Sequence, residues 1–253
     1  MRRIAALAGL AAAAAGAAVW ASRSAGARQS REAMSHGAAP GRLGSWVNSL
    51  MDGPTYRAFA QVLDVRPEDD LLDVACGWGE FLVNHAAGAR RVSGVDLAPA
   101  KVALARKRLA ERIRAGTAEV VVADAARLPW PDASFTAVTC IDAFPFFPDP
   151  QAVLDEFFRV LRPGGRVVVT FGAEQLPEGV ESRSARGIAG TYTAISEATA
   201  RTMVESAGFD PVTVSWAPVA GAHRLIGAAL RVVAGGDQID IVIGSKPVVT
   251  ASE

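Results

Sequence analysis

Short apolar runs alternate with amphipathic stretches along the middle of the chain, and the first three runs each lead into a glycine turn or an acid. Leu71–Val74 leads into Gly77-Trp78-Gly79, after which residues 81–87 are amphipathic. Arg91–Asp96 and Val120–Asp124 are further β-favouring runs, and both end in aspartate. Such runs, separated by helical patterns, predict parallel strands joined by helices. Since the carboxyl ends of parallel strands share one edge, the turn and the two acids should border a single crevice.

The same pattern predicts the remaining elements. Amphipathic periodicity with capping residues favours helices, and apolar runs favour strands. The predicted helices cover residues 45–51, 54–65, a segment starting at Pro99, 151–161 and 196–207, and the further predicted strands cover residues 135–141, 166–171, 211–216 and 238–243. Residues 173–194 lack clear periodicity and are expected to form a variable substrate loop, and residues 222–233 are expected to form an inserted helix.

The spacing of the glycines narrows the class of ligand. Glycine permits positive φ and lets a ligand approach the backbone closely. A dinucleotide-binding turn has a third glycine three residues after the second, and this chain has Leu82 there. A carboxylate after the second strand, here Asp96, can accept hydrogen bonds from both hydroxyls of a ribose. The pattern therefore indicates a nucleotide-like ligand and argues against a nicotinamide dinucleotide.

Five motifs, in this order, resemble those of the class I S-adenosylmethionine-dependent methyltransferases. They are Asp73-Val74-Ala75-Cys76-Gly77-Trp78-Gly79, Val95-Asp96-Leu97, Ala123-Asp124-Ala125-Ala126-Arg127-Leu128-Pro129, Pro131-Asp132-Ala133-Ser134-Phe135 and Arg159-Val160-Leu161-Arg162-Pro163-Gly164-Gly165-Arg166. The resemblance covers roughly residues 45–245. It implies a Rossmann-like three-layer α/β sandwich with a mostly parallel seven-stranded sheet, and S-adenosylmethionine as the cofactor. The chain departs from the family at Ala75, where glycine is usual, so the ligand should approach the backbone less closely there.

The resemblance also implies roles for individual residues. Gly77 and Gly79 would give backbone access to the methionine end of the cofactor, and Asp73 would orient its ammonium group. Asp96 would accept from the ribose hydroxyls and Asp124 from the adenine amino group. The other residues expected to line the cofactor site are Ala75, Cys76, Leu97, Ile141 and Ala125, which would donate its backbone N–H.

The acceptor side is less well defined by the sequence. In the family, the N-terminal helices cover the cofactor and shape the substrate pocket. Trp46 and Tyr56 are the candidates here, and the alternative is that they pack against the core. Phe144, Phe146 and Phe147 follow the fourth strand, where they either form an apolar wall for a small or lipophilic acceptor or pack in the core. No catalytic base is identified. His36 and Asp142 are the candidates, whereas His85 and His223 are expected at the surface.

Composition adds limits to this interpretation. Half of the residues are hydrophobic and the net charge is zero, so nothing global attracts nucleic acid. The two cysteines have no metal-binding spacing and form no disulfide framework, and no metal site is predicted. We expect a methyltransferase domain at residues 45–247, a tail at residues 248–253, and a hydrophobic N-terminal segment with a linker at residues 1–44.

The uncharged, alanine-rich residues 4–21 have three interpretations. They are a membrane tether, a cleaved signal or transit peptide, or translated upstream sequence with Met34 as the working start. If they are a tether, the arginines that follow favour a cytoplasmic catalytic domain.

Three functions from different classes fit the sequence. The first is an S-adenosylmethionine-dependent methyltransferase with a small-molecule acceptor. The second is an NAD(P)-dependent oxidoreductase, and the third is a non-catalytic protein that binds S-adenosylmethionine. The sequence identifies neither the acceptor atom nor the oligomeric state.

Overall fold

The computed structural model describes residues 56, 57, 59–144, 147–171, 195–218 and 238–248. Four predicted segments lie wholly outside these residues: the N-terminal segment with its linker at 1–44, the helix at 45–51, the loop at 173–194 and the inserted helix at 222–233. Trp46, His36, Phe146 and His223 also lie outside them.

Seven strands form one sheet in the order β3-β2-β1-β4-β5-β7-β6. The strands β1 to β5 pair in parallel, whereas β7 runs antiparallel to both β5 and β6. Their bounds are β1 Asp70–Val74, β2 Arg91–Asp96, β3 Ala118–Val122, β4 Phe135–Cys140, β5 Leu161–Thr170, β6 Val212–Pro218 and β7 Gln238–Ser245. The predicted mostly parallel seven-stranded sheet is therefore confirmed.

Six helices are described, and two of them begin at a residue whose side chain caps the helix. Their bounds are α1 at residues 56, 57 and 59–63, α2 Glu80–Asn84, α3 Pro99–Arg108, α4 Ala110–Arg114, α5 Pro150–Val160 and α6 Glu197–Ser206. Ser196 caps α6 because its side chain accepts a hydrogen bond from the Thr199 N–H, and Asp149 caps α5 through the Ala152 N–H. No helix among these elements is long and apolar enough to cross a membrane.

The fifth strand is longer than the sequence predicts. The sequence predicts a strand at residues 166–171, but β5 begins at Leu161, directly after α5. The Gly164 N–H donates to the Lys246 carbonyl, and the Lys246 N–H donates to the Gly165 carbonyl, both at 2.8 Å. Pairing with a distant segment therefore overrides the local stop signal of proline and glycine.

Helices cover both faces of the sheet and give the predicted three layers. On one face, α5 and α6 pack their apolar side chains against Leu72 and Val74. On the other face, α1, α2 and α3 pack against Leu71 and its neighbours. Because adjacent residues of a strand point to opposite faces, each strand of the middle of the sheet contributes to both cores.

Charged side chains crowd the amino ends of the strands. Arg166 pairs with the buried Asp69 at 2.6 Å, and Arg162 pairs with Asp70 at 2.9 Å. Burial alone would raise the pKa of Asp69, but hydrogen bonds from Arg166 and Thr136 outweigh it and hold the pKa below its usual value. A cleft of about 260 Å³ opens at this end, lined by Asp70, Arg91, Glu119, Trp130, Ser134, Phe135 and Arg162.

Candidate functional site

The glycine turn after β1 leaves a space beside its backbone. Gly77 and Gly79 both adopt positive φ, at 54° and 76°. A Cβ atom at Gly77 would have no heavy atom within 4 Å, whereas one at Gly79 would lie 3.2 Å from the Cβ of Ala105 on α3. Gly79 is therefore required for close packing of the turn against α3, and Gly77 borders open space that a ligand can enter.

Asp96 joins the end of β2 to this turn. Its carboxylate accepts from the Gly77 N–H at 2.9 Å and from the Ala98 N–H at 2.8 Å. The residue is 8% exposed. Each carboxylate oxygen has a second lone pair, so Asp96 can still accept from the two hydroxyls of a ribose. The open space at Gly77 and this fixed carboxylate fit an adenosyl ligand.

Gly94 is a site residue that the sequence analysis missed. It lies on β2 in register with Asp73 on β1. A Cβ atom at Gly94 would lie 2.8 Å from the Cys76 sulfur and 2.9 Å from a methyl group of Leu82. The turn and α2 can approach the sheet only because this residue has no side chain. A glycine inside a strand pattern was the available signal, since it marks a close approach of other groups.

Asp124 lies at the same edge of the sheet as Asp96. The Ala123 N–H donates to the Asp96 carbonyl at 3.3 Å, and Asp124 follows directly. The Asp124 side chain is exposed and accepts from the Ala126 N–H at 3.0 Å, so it shapes its own turn. Leu97 beside it is 72% exposed and Val122 is 44% exposed. These two apolar side chains offer a surface for a flat ring such as adenine, which remains a prediction.

Asp73 is buried near the middle of this edge. It is 3% exposed, and its carboxylate accepts no hydrogen bond from the residues that the structure describes. Burial, together with the nearby Asp96 charge, raises the pKa of Asp73 well above its usual value. The Cys76 and Cys140 thiols are also buried, which raises their pKa values, so both stay uncharged at neutral pH.

Ala75 adopts a left-handed backbone conformation, with φ of 58°. This geometry explains why glycine is the natural residue at this position, because a Cβ costs about 1–2 kcal/mol there. We predict that Ala75→Gly raises the free energy of unfolding by less than about 1 kcal/mol, since the greater entropy of the unfolded glycine offsets part of the gain.

Thermal denaturation with and without S-adenosylhomocysteine checks the Ala75 prediction. Ala133 has the same left-handed geometry, with φ of 53°, in a turn away from the site, so Ala133→Gly is the matched control. We expect both variants to gain similar stability and only Ala75→Gly to gain affinity. A loss of stability in Ala75→Gly would contradict the strain argument.

The residues predicted for the acceptor side differ in their surroundings. Phe144 is fully buried, and its ring packs edge to face on Phe171 and Phe147, with centroids 4.5 and 5.8 Å away. This position favours core packing over a pocket wall. Ile141 is 9% exposed, at the end of β4. Asp142 is exposed, has φ of 55°, and donates its backbone N–H to the Thr170 hydroxyl at 2.7 Å.

Tyr56 and His85 lie together on the face of the sheet that α1, α2 and α3 cover. The Tyr56 ring lies 6.3 Å from the Phe81 ring and 6.0 Å from the His85 ring. His85 is therefore half-buried among aromatic rings rather than at the surface, and burial lowers its pKa. Among the described residues, no group of three or more His, Cys, Asp or Glu side chains could hold a metal ion.

The comparisons with known proteins agree with this geometry. Residues 72–169 match the family described as a methyltransferase domain. The demethylmenaquinone methyltransferase of Thermus thermophilus is 38% identical over 115 residues, which are 45% of this chain and 51% of that protein. The 27-O-demethylrifamycin SV methyltransferase of Amycolatopsis mediterranei is 36% identical over 132 residues, 50% of this chain and 47% of that protein. The chain thus spans about half the length of the curated relatives it matches.

A solved structure shares the fold. Phosphoethanolamine N-methyltransferase 2 of Haemonchus contortus, in complex with S-adenosyl-L-methionine, aligns with a TM-score of 0.63 at 17% identity. The alignment covers 81% of this chain and 57% of that one. At this identity the likeness extends to the fold alone.

Proposed function

Because residues 72–169 match a methyltransferase domain, we propose that this chain is a class I S-adenosylmethionine-dependent methyltransferase that transfers a methyl group from S-adenosylmethionine to a small-molecule acceptor. The observation that carries the proposal is the Asp96 carboxylate bonded to the Gly77 N–H beside an open space. A carboxylate that can accept from a ribose and open space beside the Gly77 backbone lie together there, as an adenosyl ligand requires.

The residues of the chain hold and orient the cofactor in this proposal. Asp96 accepts from the ribose hydroxyls, Asp73 pairs with the ammonium group, and Gly77 and Gly79 border the methionine end. Leu97 and Ile141 provide apolar contacts, and Asp124 with the Ala125 N–H binds the adenine edge. When bound, S-adenosylmethionine supplies an activated methyl group on a sulfonium. Alignment of the acceptor with that group can lower the barrier by several kcal/mol, up to ~7–11 in ideal cases.

The names of the relatives suggest a class of acceptor. They are methyltransferases of a demethylated menaquinone and of a demethylated rifamycin. We infer that the acceptor here is also a small molecule with an apolar ring system, such as a quinone or a polyketide. Tyr56, Phe146 and Asp142 are the residues that we propose to line its pocket, with His36 or Asp142 as the base if the acceptor needs one.

Two other functions make different predictions. An NAD(P)-dependent oxidoreductase needs a third glycine in the turn. This chain has Leu82 at that position, and its side chain is fully buried against Gly94. For a non-catalytic binding protein, S-adenosylmethionine binds but no acceptor is methylated. A tether at residues 4–21 that leaves the catalytic domain in the cytoplasm is a further proposal, and it concerns residues outside those described.

Mass spectrometry of reaction mixtures tests the function. Purified protein is incubated with S-adenosylmethionine and a panel of demethylated quinones, phenolic polyketides, amines and fatty acids. We expect a gain of ~14 Da on a ring-bearing acceptor and one equivalent of S-adenosylhomocysteine. Binding of the cofactor without any product across the panel would favour the non-catalytic protein. Binding of NADH in its place would contradict the proposal.

A further inference from the structure

Thr139, on β4, has a buried hydroxyl with no hydrogen-bond partner among the described residues. The residue is 0% exposed. Buried polar groups in native proteins are nearly always paired, so an unpaired one needs a physical explanation. Valine has the same shape as threonine and would fill this position without an unpaired hydroxyl, so the hydroxyl itself needs a function.

A second unpaired polar group lies directly beside it. Asp73 on β1 is in register with Thr139 on one side and with Gly94 on the other. Residues in register on neighbouring parallel strands project to the same face of the sheet. The Asp73 carboxylate accepts no hydrogen bond within the described part of the chain. The Thr139 hydroxyl, which has no acceptor, thus lies next to the Asp73 carboxyl group, which has no donor, within the described residues.

The charges around Asp73 are mostly unfavourable to its ionisation. The Asp96 carboxylate at the end of β2 repels a negative charge on Asp73. The nearby Cys76 and Cys140 thiols are neutral, because burial and the Asp73 charge raise their pKa values. On α2, Glu80 is paired with Arg108 at 2.7 Å, and Lys101 on α3 acts on Cys76. Among the described side chains none with a positive charge pairs with Asp73. Burial and Asp96 accordingly raise the pKa of Asp73, so its carboxyl group stays protonated where an ordinary aspartate is charged.

We propose that Thr139 is a positioning residue that acts through Asp73. Its hydroxyl donates to the Asp73 carboxylate when that group becomes charged by pairing with the ammonium of the bound methyl donor. Binding therefore releases a proton: the O–H bond of the Asp73 carboxyl breaks, the proton passes to solvent, and the ammonium replaces it as the neutralising charge. No other covalent bond changes. The inference rests on the proposed function, since it requires a ligand with an ammonium group at this edge.

The sign of the pH effect follows from this coupling. The ligand binds the charged form of Asp73, so affinity rises with pH until Asp73 is already ionised in the free protein. Thr139 stabilises only the charged form. Removing its hydroxyl therefore weakens binding and moves the pH at which affinity levels off to a higher value.

Calorimetric titration with S-adenosylhomocysteine, which keeps the ammonium group, tests the inference on the full chain. Titrations from pH 6 to 9 in two buffers with different ionisation enthalpies give the affinity and the number of protons released. The variants are Thr139→Val and Thr139→Ser, with Thr213→Val on the exposed face of β6 as the matched control. Circular dichroism verifies that each variant folds.

The wild type and Thr213→Val should release protons on binding the ligand, and fewer of them as pH rises. Thr139→Val should bind about tenfold more weakly at neutral pH, with its affinity levelling off about one pH unit higher, and Thr139→Ser should behave as the wild type. Proton release of zero in the wild type, or unchanged affinity and pH profile in Thr139→Val, would overturn the inference while leaving the proposed function intact. Wild-type protein that binds no S-adenosylhomocysteine would overturn both.

Discussion

Replacement of Asp96 by alanine should weaken the binding of S-adenosylmethionine about 1,000-fold. Two ribose hydroxyls lose charge-assisted hydrogen bonds, each of which contributes about 1.5–3 kcal/mol, and a loss of about 4 kcal/mol corresponds to this factor. The effect should exceed that of a simple ligand contact, because the same carboxylate holds the Gly77 and Ala98 N–H groups. The variant therefore also disorganises the turn that borders the ligand.

Equilibrium titration with S-adenosylhomocysteine measures this effect. Asp96→Asn keeps one acceptor oxygen and should lie between the wild type and Asp96→Ala. Asp155→Ala, which changes an exposed acid on α5, should bind as the wild type does and serves as the control. Affinity of Asp96→Ala within threefold of the wild type would refute the assignment of the ribose to Asp96.

Replacement of Asp73 by asparagine should have the second largest effect. It should weaken the binding of the cofactor and stabilise the free protein at alkaline pH. The amide cannot neutralise the ammonium of the cofactor, so affinity should fall about 100-fold, or about 2.7 kcal/mol. The free protein, by contrast, should become more stable at alkaline pH. Asp73 has a raised pKa in the folded protein, so the wild type loses stability as pH rises through that pKa, and an asparagine has no charge to bury.

Thermal unfolding at pH 5 and pH 9 separates the two effects. We expect Asp73→Asn to unfold at a higher temperature than the wild type, by a smaller margin at pH 5 than at pH 9. Asp155→Asn is the matched control and should change neither quantity. If Asp73→Asn were less stable than the wild type at pH 9, Asp73 would not be an uncompensated buried acid in the free protein.

The sequence predicts those site residues whose role depends on a short stretch of neighbouring residues. Gly77 and Gly79 form a recognisable turn after an apolar run, and Asp96 ends a strand that its own composition defines. The structure brings these residues together at one edge because parallel strands align their carboxyl ends. Order along the chain was enough to predict this edge, and the sheet itself was predicted in the same way.

The parts that the sequence does not predict depend on register between distant strands. The importance of Gly94 and Thr139 arises because both are aligned with Asp73, and pairing register is set by packing across the sheet. The early start of β5 likewise depends on Lys246, which lies about 80 residues further along the chain. The sequence does not decide whether Phe144 lines the substrate pocket or packs in the core, because an apolar residue suits both places. Its contact with Phe171 favours the core.

The two ends of the strands allow a direct test of the central claim. The claim is that the carboxyl ends of β1, β2 and β3 hold one adenosyl group. The cleft at the amino ends is lined by Arg91, Glu119 and Trp130. A nucleoside stacked on that tryptophan would lie at the opposite end of the strands from Gly77.

A crystal structure with bound S-adenosylhomocysteine is the most direct measurement. The account predicts ligand density beside Gly77, with both ribose hydroxyls within hydrogen-bond distance of the Asp96 carboxylate and the adenine over Leu97. Density at the amino-end cleft, or a ribose that contacts neither oxygen of Asp96, would contradict it.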